Sequence, residues 1–407
     1  MDHDFVSVSR SNHSKTIIPE MSVLVETTDP AQLRKQSSQG GIGLAMSGGG
    51  YRAMMFHTGA LYRLNEAGLL GKIARISSVS GGSITSAYLG LCWSKLGFSA
   101  GRAARFDLLV DGMRAMADTT IDAGSIIAGT LLPGPASDRL VGAYDDVLFK
   151  GARLRQLPDD ATGAGPRFVI NATNMQSAAV WRFSRSYMGD YRIGAIKDPD
   201  VKLSLAVAAS SAFPPFLSPL VLPISQPVEP APGADLNRPP FTASAMLSDG
   251  GVYDNLGLEA LKQFSTVLVS DAGQKIAAEE NPHRDWPRHM LRVLDVIDNQ
   301  VRSLRKRQLI ESYERGDREG TYWGVRTNFA DYGLTGDPLS CMSRDAAPLA
   351  EIPTRLEKMP REVQNRLMNW GYAICDAALR AHLGGELQDR LGLLIAPPDK
   401  FPFPGAY

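Results

Sequence analysis

A chain of 407 residues with 44% hydrophobic content can bury one large core or two ordinary ones, which excludes a stapled miniprotein and a disordered chain. Its 43 basic residues balance 43 acidic ones, so no whole-molecule field draws it toward nucleic acid or an anionic membrane, and any lipid contact has to be local. Cys92, Cys341 and Cys375 stand far apart without a C-x-x-C pair, which argues against a zinc ribbon and a disulfide framework and for a reducing compartment.

In chain order, the opening MDHDFVSVSRSNHSKTIIPE has no apolar signal core. No later stretch reaches the length of a membrane span, and position 2 is not the glycine of a myristoylation signal. The expected location is the cytoplasm. Residues 1–40 read as a polar extension ending in QSSQGG. GIGLAMSGGG then predicts a buried strand at Ile42–Met46, and Met54, Met55, Leu61, Leu64 and Leu69 recur at helical spacing until Gly68 and Gly71. A second strand, turn and helix follow at Ile73–Val79, SGG and Ser83–Lys95.

Residues 98–148 read as helical and irregular, interrupted by TLLPGPAS, in the manner of a cap inserted beside a site. Phe168–Asn171 and Val180–Phe183 are strand candidates, and Val201–Ala212 a helix stopped by Phe213-Pro214-Pro215. The run QPVEPAPGADLNRPP is expected as an exposed loop. Ala245–Leu247 and Val267–Ser270 read as short strands opening into Asp249-Gly250-Gly251 and Asp271-Ala272-Gly273. Long helices are expected at Arg288–Glu314 and Arg361–His382. The alternation favours an α/β fold with a largely parallel sheet, whose sites lie beyond the strand C-termini.

Three segments carry chemistry. In SGGGYRA, consecutive glycines leave amide N–H groups open to an anion at a helix N-terminus, with Arg52 beside them; a tight turn without a ligand is the alternative. The loop has neither the G-K-[ST] end of a P-loop nor the G-x-G-x-x-G spacing of a dinucleotide fold. In SSVSGGS, Ser80 stands between a strand and a helix, as in a nucleophile elbow, or else caps the helix. Ser78 takes the place of the elbow's first glycine. In LSDGGVYDNLG, Asp249 ends an apolar run and offers a base for a serine hydroxyl, or else makes an ordinary Asp-Gly turn.

A Ser-His-Asp triad of the α/β-hydrolase order needs a histidine after the acid, where only His283, His289 and His382 stand, none in a glycine or strand-end context. His57 reads as a core or cap residue. A dyad suits this shortage better.

Taken in order, GGGYRA, S-V-S-G-G and D-G-G resemble the three blocks of the patatin-like phospholipases, and SGGGYRAM is particularly similar to the glycine loop of the cytosolic phospholipases. AVAASSAFPPF at 206–216 resembles the segment between nucleophile and acid, so the resemblance covers about 41–274, and NWGYAICDAALR suggests a related C-terminal helix. Ser78 departs from the pattern. Ala53 stands where many bacterial and plant members have glycine, although the cytosolic phospholipases share the alanine.

The resemblance implies a three-layer α/β fold, with a mostly parallel central sheet, helices on both faces and C-terminal helices. The implied division is a catalytic domain at 41–330, with 98–148 as its cap, and a loop and helical extension at 331–407. It further implies a serine esterase or phospholipase with a Ser80-Asp249 dyad, an oxyanion hole from Gly48, Gly49 and Gly50, Arg52 as an auxiliary charge, and no cofactor or metal. The expected partner is a membrane phospholipid or other acyl lipid, met in transient peripheral contact, with no nucleic acid; the oligomeric state stays open. A nucleotide-binding protein and a catalytically silent regulatory module of the same fold are the rivals. For membrane contact the candidates are the apolar segment Phe213–Ile224, which otherwise lines a pocket, and the basic run Arg302, Arg305, Lys306 and Arg307, which otherwise is a solvated helix face.

Overall fold

Alternate residues of the first strand enter different cores. Ile42, Leu44 and Met46 join the main one, and Ala45 joins a second cluster with Val267, Val269 and Leu309, so the sheet is covered on both faces. The computed structural model describes residues 39–121, 136–215 and 217–403. Most of the N-terminal extension, the start of TLLPGPAS and Phe216 lie outside them.

Among the described residues ten strands form the main sheet. In chain order they are β1 (Gln39–Met46), β2 (Ile73–Val79), β3 (Arg167–Asn174), β4 (Ala179–Phe183), β5 (Tyr187–Asp190), β6 (Gly194–Lys197), β7 (Leu220–Pro223), β8 (Ser244–Asp249), β9 (Phe264–Asp271) and β10 (Glu319–Gly324). The order β10-β9-β1-β2-β3 is parallel throughout, with Met46 opposite both Ser270 and Ser78. From β3 outward, β4, β5 and β6 continue as an antiparallel meander, and β8 pairs antiparallel with β3 and β7. The parallel centre is the arrangement expected from alternating strands and helices. The antiparallel flank comes from strands too short to show a period.

The helices that frame the sheet are α1 (Gly50–Glu66), α2 (Gly81–Cys92), α3 (Asp107–Ala117), α4 (Ala136–Tyr144), α5 (Leu203–Ser210), α6 (Gly251–Asp254), α7 (Trp286–Glu314) and α8 (Arg361–His382), with short helices also at Ala347–Ala350 and Gly385–Leu391. α1 and α8 cross so closely that a Cβ on Gly59 would lie 1.8 Å from the Met368 carbonyl, and one on Gly371 2.0 Å from that of Phe56. Beside the crossing, buried Asp376 pairs with Arg63 and Arg380, each at 2.8 Å. α3 and α4, from the segment expected as a cap, pack against α2 and α5 respectively.

α7 begins as expected of a helix, with the Asp285 side chain accepting the Arg288 N–H and Pro287 in the first turn. Its packing is less ordinary, because only Leu309 and Ser312 are buried. The basic run does not form an outward patch. Arg302 faces Asp271 at 3.5 Å, Arg305 bonds Glu259 at 2.7 Å, and Lys306 lies over the Tyr322 ring; Arg307 is exposed. In the segment 213–224, Leu217, Leu220 and Leu222 are buried while Phe213 and Val221 are exposed.

Candidate active site

Strand register brings Ser80 and Asp249 together. β2 pairs with the first part of β3, as far as Val79 opposite Asn171. β4 occupies the other edge of β3, so β8 continues along the edge that β2 leaves, placing Asp249 opposite Ala172. β2 runs parallel to β3 and β8 antiparallel to it, and their C-terminal ends therefore meet head to head. These ends open on the side where β1 and β9 also end.

Ser80 turns the chain from β2 into α2 with φ 50° and ψ −119°, a strained conformation for a residue with a side chain. Its N–H donates to Ser210 Oγ at 2.9 Å, and Ser210 Oγ donates to the Asn171 carbonyl at 2.6 Å. The glycines after it answer to crowding: a Cβ on Gly81 would sit 2.1 Å from the Gly50 carbonyl, and one on Gly82 2.6 Å from that of Met46. Ser78, in place of the first elbow glycine, lies within β2 and accepts from Ser83 Oγ at 3.1 Å.

Asp249 is buried at 3% exposure. Its Oδ1 accepts the Gly251 N–H at 2.7 Å, and the Ser80 hydroxyl lies near enough to favour the charged carboxylate. Burial pushes its pKa from the ordinary 3.8 up to about 7; the Gly251 N–H and the nearby Ser80 hydroxyl oppose the rise and the charge of Asp298 adds to it. The buried phenol of Tyr144, at the end of α4, is close enough to feel the Asp249 charge.

The glycine loop leans on this pair. A Cβ on Gly48 would lie 3.2 Å from Ser80 Cβ, and Gly49 and Gly50 hold φ 144° and 57°, values that favour glycine. The Gly48 N–H, expected as an oxyanion donor, already donates to the Asn255 carbonyl at 3.1 Å. Among the described residues the Gly49 and Gly50 N–H groups have no protein acceptor. Arg52 is wholly buried, and its donors grip the surrounding backbone: the Ala272 carbonyl at 3.0 and 2.8 Å, the Ile352 carbonyl, and Thr354 Oγ1 at 3.0 Å. Desolvation lowers its pKa to about 10, so it stays cationic at neutral pH as a clamp beneath the loop.

No described histidine contacts Ser80 or Asp249. His57 is buried between Ser270 Oγ at 2.7 Å and the Ser47 carbonyl at 2.9 Å, and burial lowers its pKa to about 4. His289 bonds the His283 carbonyl, and His382 packs against Tyr332. Among the described residues, no cluster of three His, Cys, Asp or Glu side chains could hold a metal ion. Sequence reasoning missed Ser210, Asn171 and Asn255, which brace the elbow and the glycine loop; for Ser210 the signal was present in ASSAFPP, a helix end rich in small polar residues.

The sequence profile of the patatin-like phospholipases matches residues 44–262, a span that holds the glycine loop, Ser80 and Asp249. No curated protein sequence matches the chain. Among solved structures, human GIVD cytosolic phospholipase A2 in complex with methyl gamma-linolenyl fluorophosphonate is similar over 89% of this chain and 62% of its own, at 16% identity and a TM-score of 0.50. VipD from Legionella pneumophila is similar over 85% of this chain and 68% of its own, at 14% identity and a TM-score of 0.36. A further structure of the human enzyme, with the same fluorophosphonate and terbium chloride, aligns over 59% of this chain and 43% of its own, at 14% identity and a TM-score of 0.36. The chain thus spans less than two thirds of the human phospholipase structures, and the likeness to the first of them, at a TM-score of 0.50, speaks for the fold alone.

Proposed function

The chain belongs to the patatin-like phospholipase family, and from that premise we propose that it is a lipid acyl hydrolase, cleaving fatty-acyl esters through Ser80 and Asp249. The observation that carries this reading is the head-to-head meeting of β2 and β8, which brings a strained serine and a buried carboxylate to one seam.

In the proposed reaction the Asp249 carboxylate takes the Ser80 hydroxyl proton as Oγ attacks the ester carbonyl. The Gly49 and Gly50 N–H groups hold the oxyanion, and a donor of this kind is worth on the order of a hundredfold in rate. Collapse expels the alcohol, which receives the proton from Asp249 and leaves an acyl-serine. Water, deprotonated by the same carboxylate, then attacks the acyl carbon; the tetrahedral adduct expels Ser80, which recovers its proton as the fatty acid departs. A base with a pKa of about 7 suits both directions of transfer near neutrality.

The proposed substrate is a membrane phospholipid or another acyl lipid met in transient contact with a lipid surface; among the described residues no helix is long and apolar enough to cross a membrane. The test is labelling with a fluorophosphonate probe alongside hydrolysis of a soluble acyl ester. Ser80→Ala is expected to lose both while keeping its circular dichroism spectrum, and full activity in a folded Ser80→Ala protein overturns the assignment.

A further inference from the structure

The Asn255 side chain stands in the candidate site without a partner. It follows α6, and its carboxamide points back one turn toward Gly251 and across to Gly48 in the glycine loop. The residue is half-buried, and among the described residues its carboxamide makes no hydrogen bond; the backbone carbonyl alone is engaged, by the Gly48 N–H. A polar group left unpaired between a nucleophile and its base calls for a molecule that enters the site.

Two glycines show where that molecule fits. Gly251 has no positive φ, so its backbone does not ask for glycine. A Cβ there would instead fill a gap, lying 2.8 Å from Asn255 Oδ1 and 3.0 Å from Asp249 Oδ1. Gly48 has no positive φ either, and its Cβ would lie 2.5 Å from Asn255 Oδ1 and 3.2 Å from Ser80 Cβ. The missing methyl groups keep one space open, bounded by the nucleophile, its base and the carboxamide. Across it Asn255 Oδ1 and Asp249 Oδ1 are at most about 6 Å apart, the reach of one water that gives an O–H bond of about 2.8 Å to each.

We infer that Asn255 Oδ1 and Asp249 together hold the water that cleaves the acyl-enzyme. This role rests on the acyl-hydrolase reading. One O–H of the water donates to Asp249, which takes that proton as the water oxygen bonds to the acyl carbon. The other O–H donates to Asn255 Oδ1, which turns a lone pair toward the acyl carbon, and it departs with the fatty acid. An alcohol in place of the water has one O–H, gives it to Asp249, and has none for Asn255. Asn255 thereby favours hydrolysis over acyl transfer to an alcohol.

The experiment gives the full chain a soluble p-nitrophenyl ester in water containing methanol. It measures free acid against methyl ester, and follows acyl-Ser80 by mass spectrometry. Asn255→Leu keeps the volume and loses the acceptor. It is expected to acylate at the unsubstituted rate, to deacylate in water about tenfold more slowly so that acyl-Ser80 accumulates, and to raise the ratio of methyl ester to acid about tenfold. Asn255→Asp restores an acceptor without the amide donor and is expected to bring the ratio back. Its pH–rate limb should move upward, because a second carboxylate disfavours the charge on Asp249. Asn255→Ala reads the same ratio should the leucine variant lose its circular dichroism spectrum. An unmoved ratio overturns the inference, as does an equal loss in acylation, the mark of an oxyanion donor, or a ratio that stays high in Asn255→Asp. If the unsubstituted protein forms no acyl-Ser80, the hydrolase reading fails; if it forms one and the ratio does not move, only the role of Asn255 fails.

Discussion

Replacing Asp249 by Asn should make the protein more stable as it kills the activity, and the gain should depend on pH in a calculable way. The carboxyl ionises at about 7 in the folded chain against an ordinary 3.8, because burial penalises its charge. A carboxyl with a raised folded pKa favours folding fully below the unfolded value, and that contribution is lost as pH rises through the folded value. At about 1.4 kcal/mol per pH unit, keeping the carboxylate costs about 4 kcal/mol at most from neutrality upward, and about a quarter of that at pH 4.5. The amide oxygen of Asn can still accept the Gly251 N–H, so that bond survives. With an unfolding entropy of about 2 cal/mol/K per residue, 4 kcal/mol corresponds to a rise in Tm of about 5 °C. Scanning calorimetry of Asp249→Asn at pH 8 and pH 4.5, beside a soluble-ester assay, measures both halves. A gain of equal size at the two pH values, or none at pH 8, would refute the buried-charge account even if the activity were lost. The unsubstituted enzyme carries the kinetic counterpart, with kcat/KM falling about tenfold per unit below pH 7 as the base protonates.

Gly49→Ala forces a side chain onto φ 144° and sets its Cβ 2.8 Å from the Ala272 carbonyl, so the amide turns away; kcat on a soluble ester should fall on the order of a hundredfold, and near-normal turnover would remove Gly49 from the oxyanion hole. Ser80→Gly relieves φ 50° and should be about 1 kcal/mol more stable to urea than Ser80→Ala, both inactive; equal midpoints would mean that the elbow holds no strain. Asp376→Ala leaves the Arg63 guanidinium, 4% exposed, without its buried partner and should cost about 3–5 kcal/mol in urea unfolding, with a loss below about 1 kcal/mol contradicting the pairing.

The parallel centre of the sheet was legible because each of its site-bearing strands is an apolar run broken by glycine. Ile73–Val79 was read to the residue, and Arg361–His382 likewise, its apolar face being long enough to show the helical period. Tyr187–Asp190 and Gly194–Lys197 escaped, since four residues give no period, and Glu319–Gly324 escaped behind the end of a long helix. At the site, residue types at strand ends pointed to Ser80 and Asp249, while the bracing by Ser210 and Asn171 depends on long-range register that one sequence does not display. The hydrogen bond of the Gly48 amide was hidden for the same reason: its acceptor, the Asn255 carbonyl, stands some two hundred residues away in the chain.

The glycines around Ser80 explain why a serine at position 78 does no harm. Gly81 and Gly82 keep φ values open to any residue, and it is Ser80 that takes the positive φ. What Gly81 and Gly82 supply is closeness, since they let the turn after β2 lie against the backbone of Met46, Ser47 and Gly50 in the loop after β1. Position 78 precedes that contact. Its residue stands inside the sheet, flanked by Met46 and Ile170, and any small side chain with its polar atom satisfied serves there. The candidate site is thus the seam between two strand-turn-helix units, and the family's glycines sit where those turns touch. A substitution that keeps the turns apart by even a methyl group would move the Gly49 and Gly50 amides away from Ser80, although neither the nucleophile nor its base had changed.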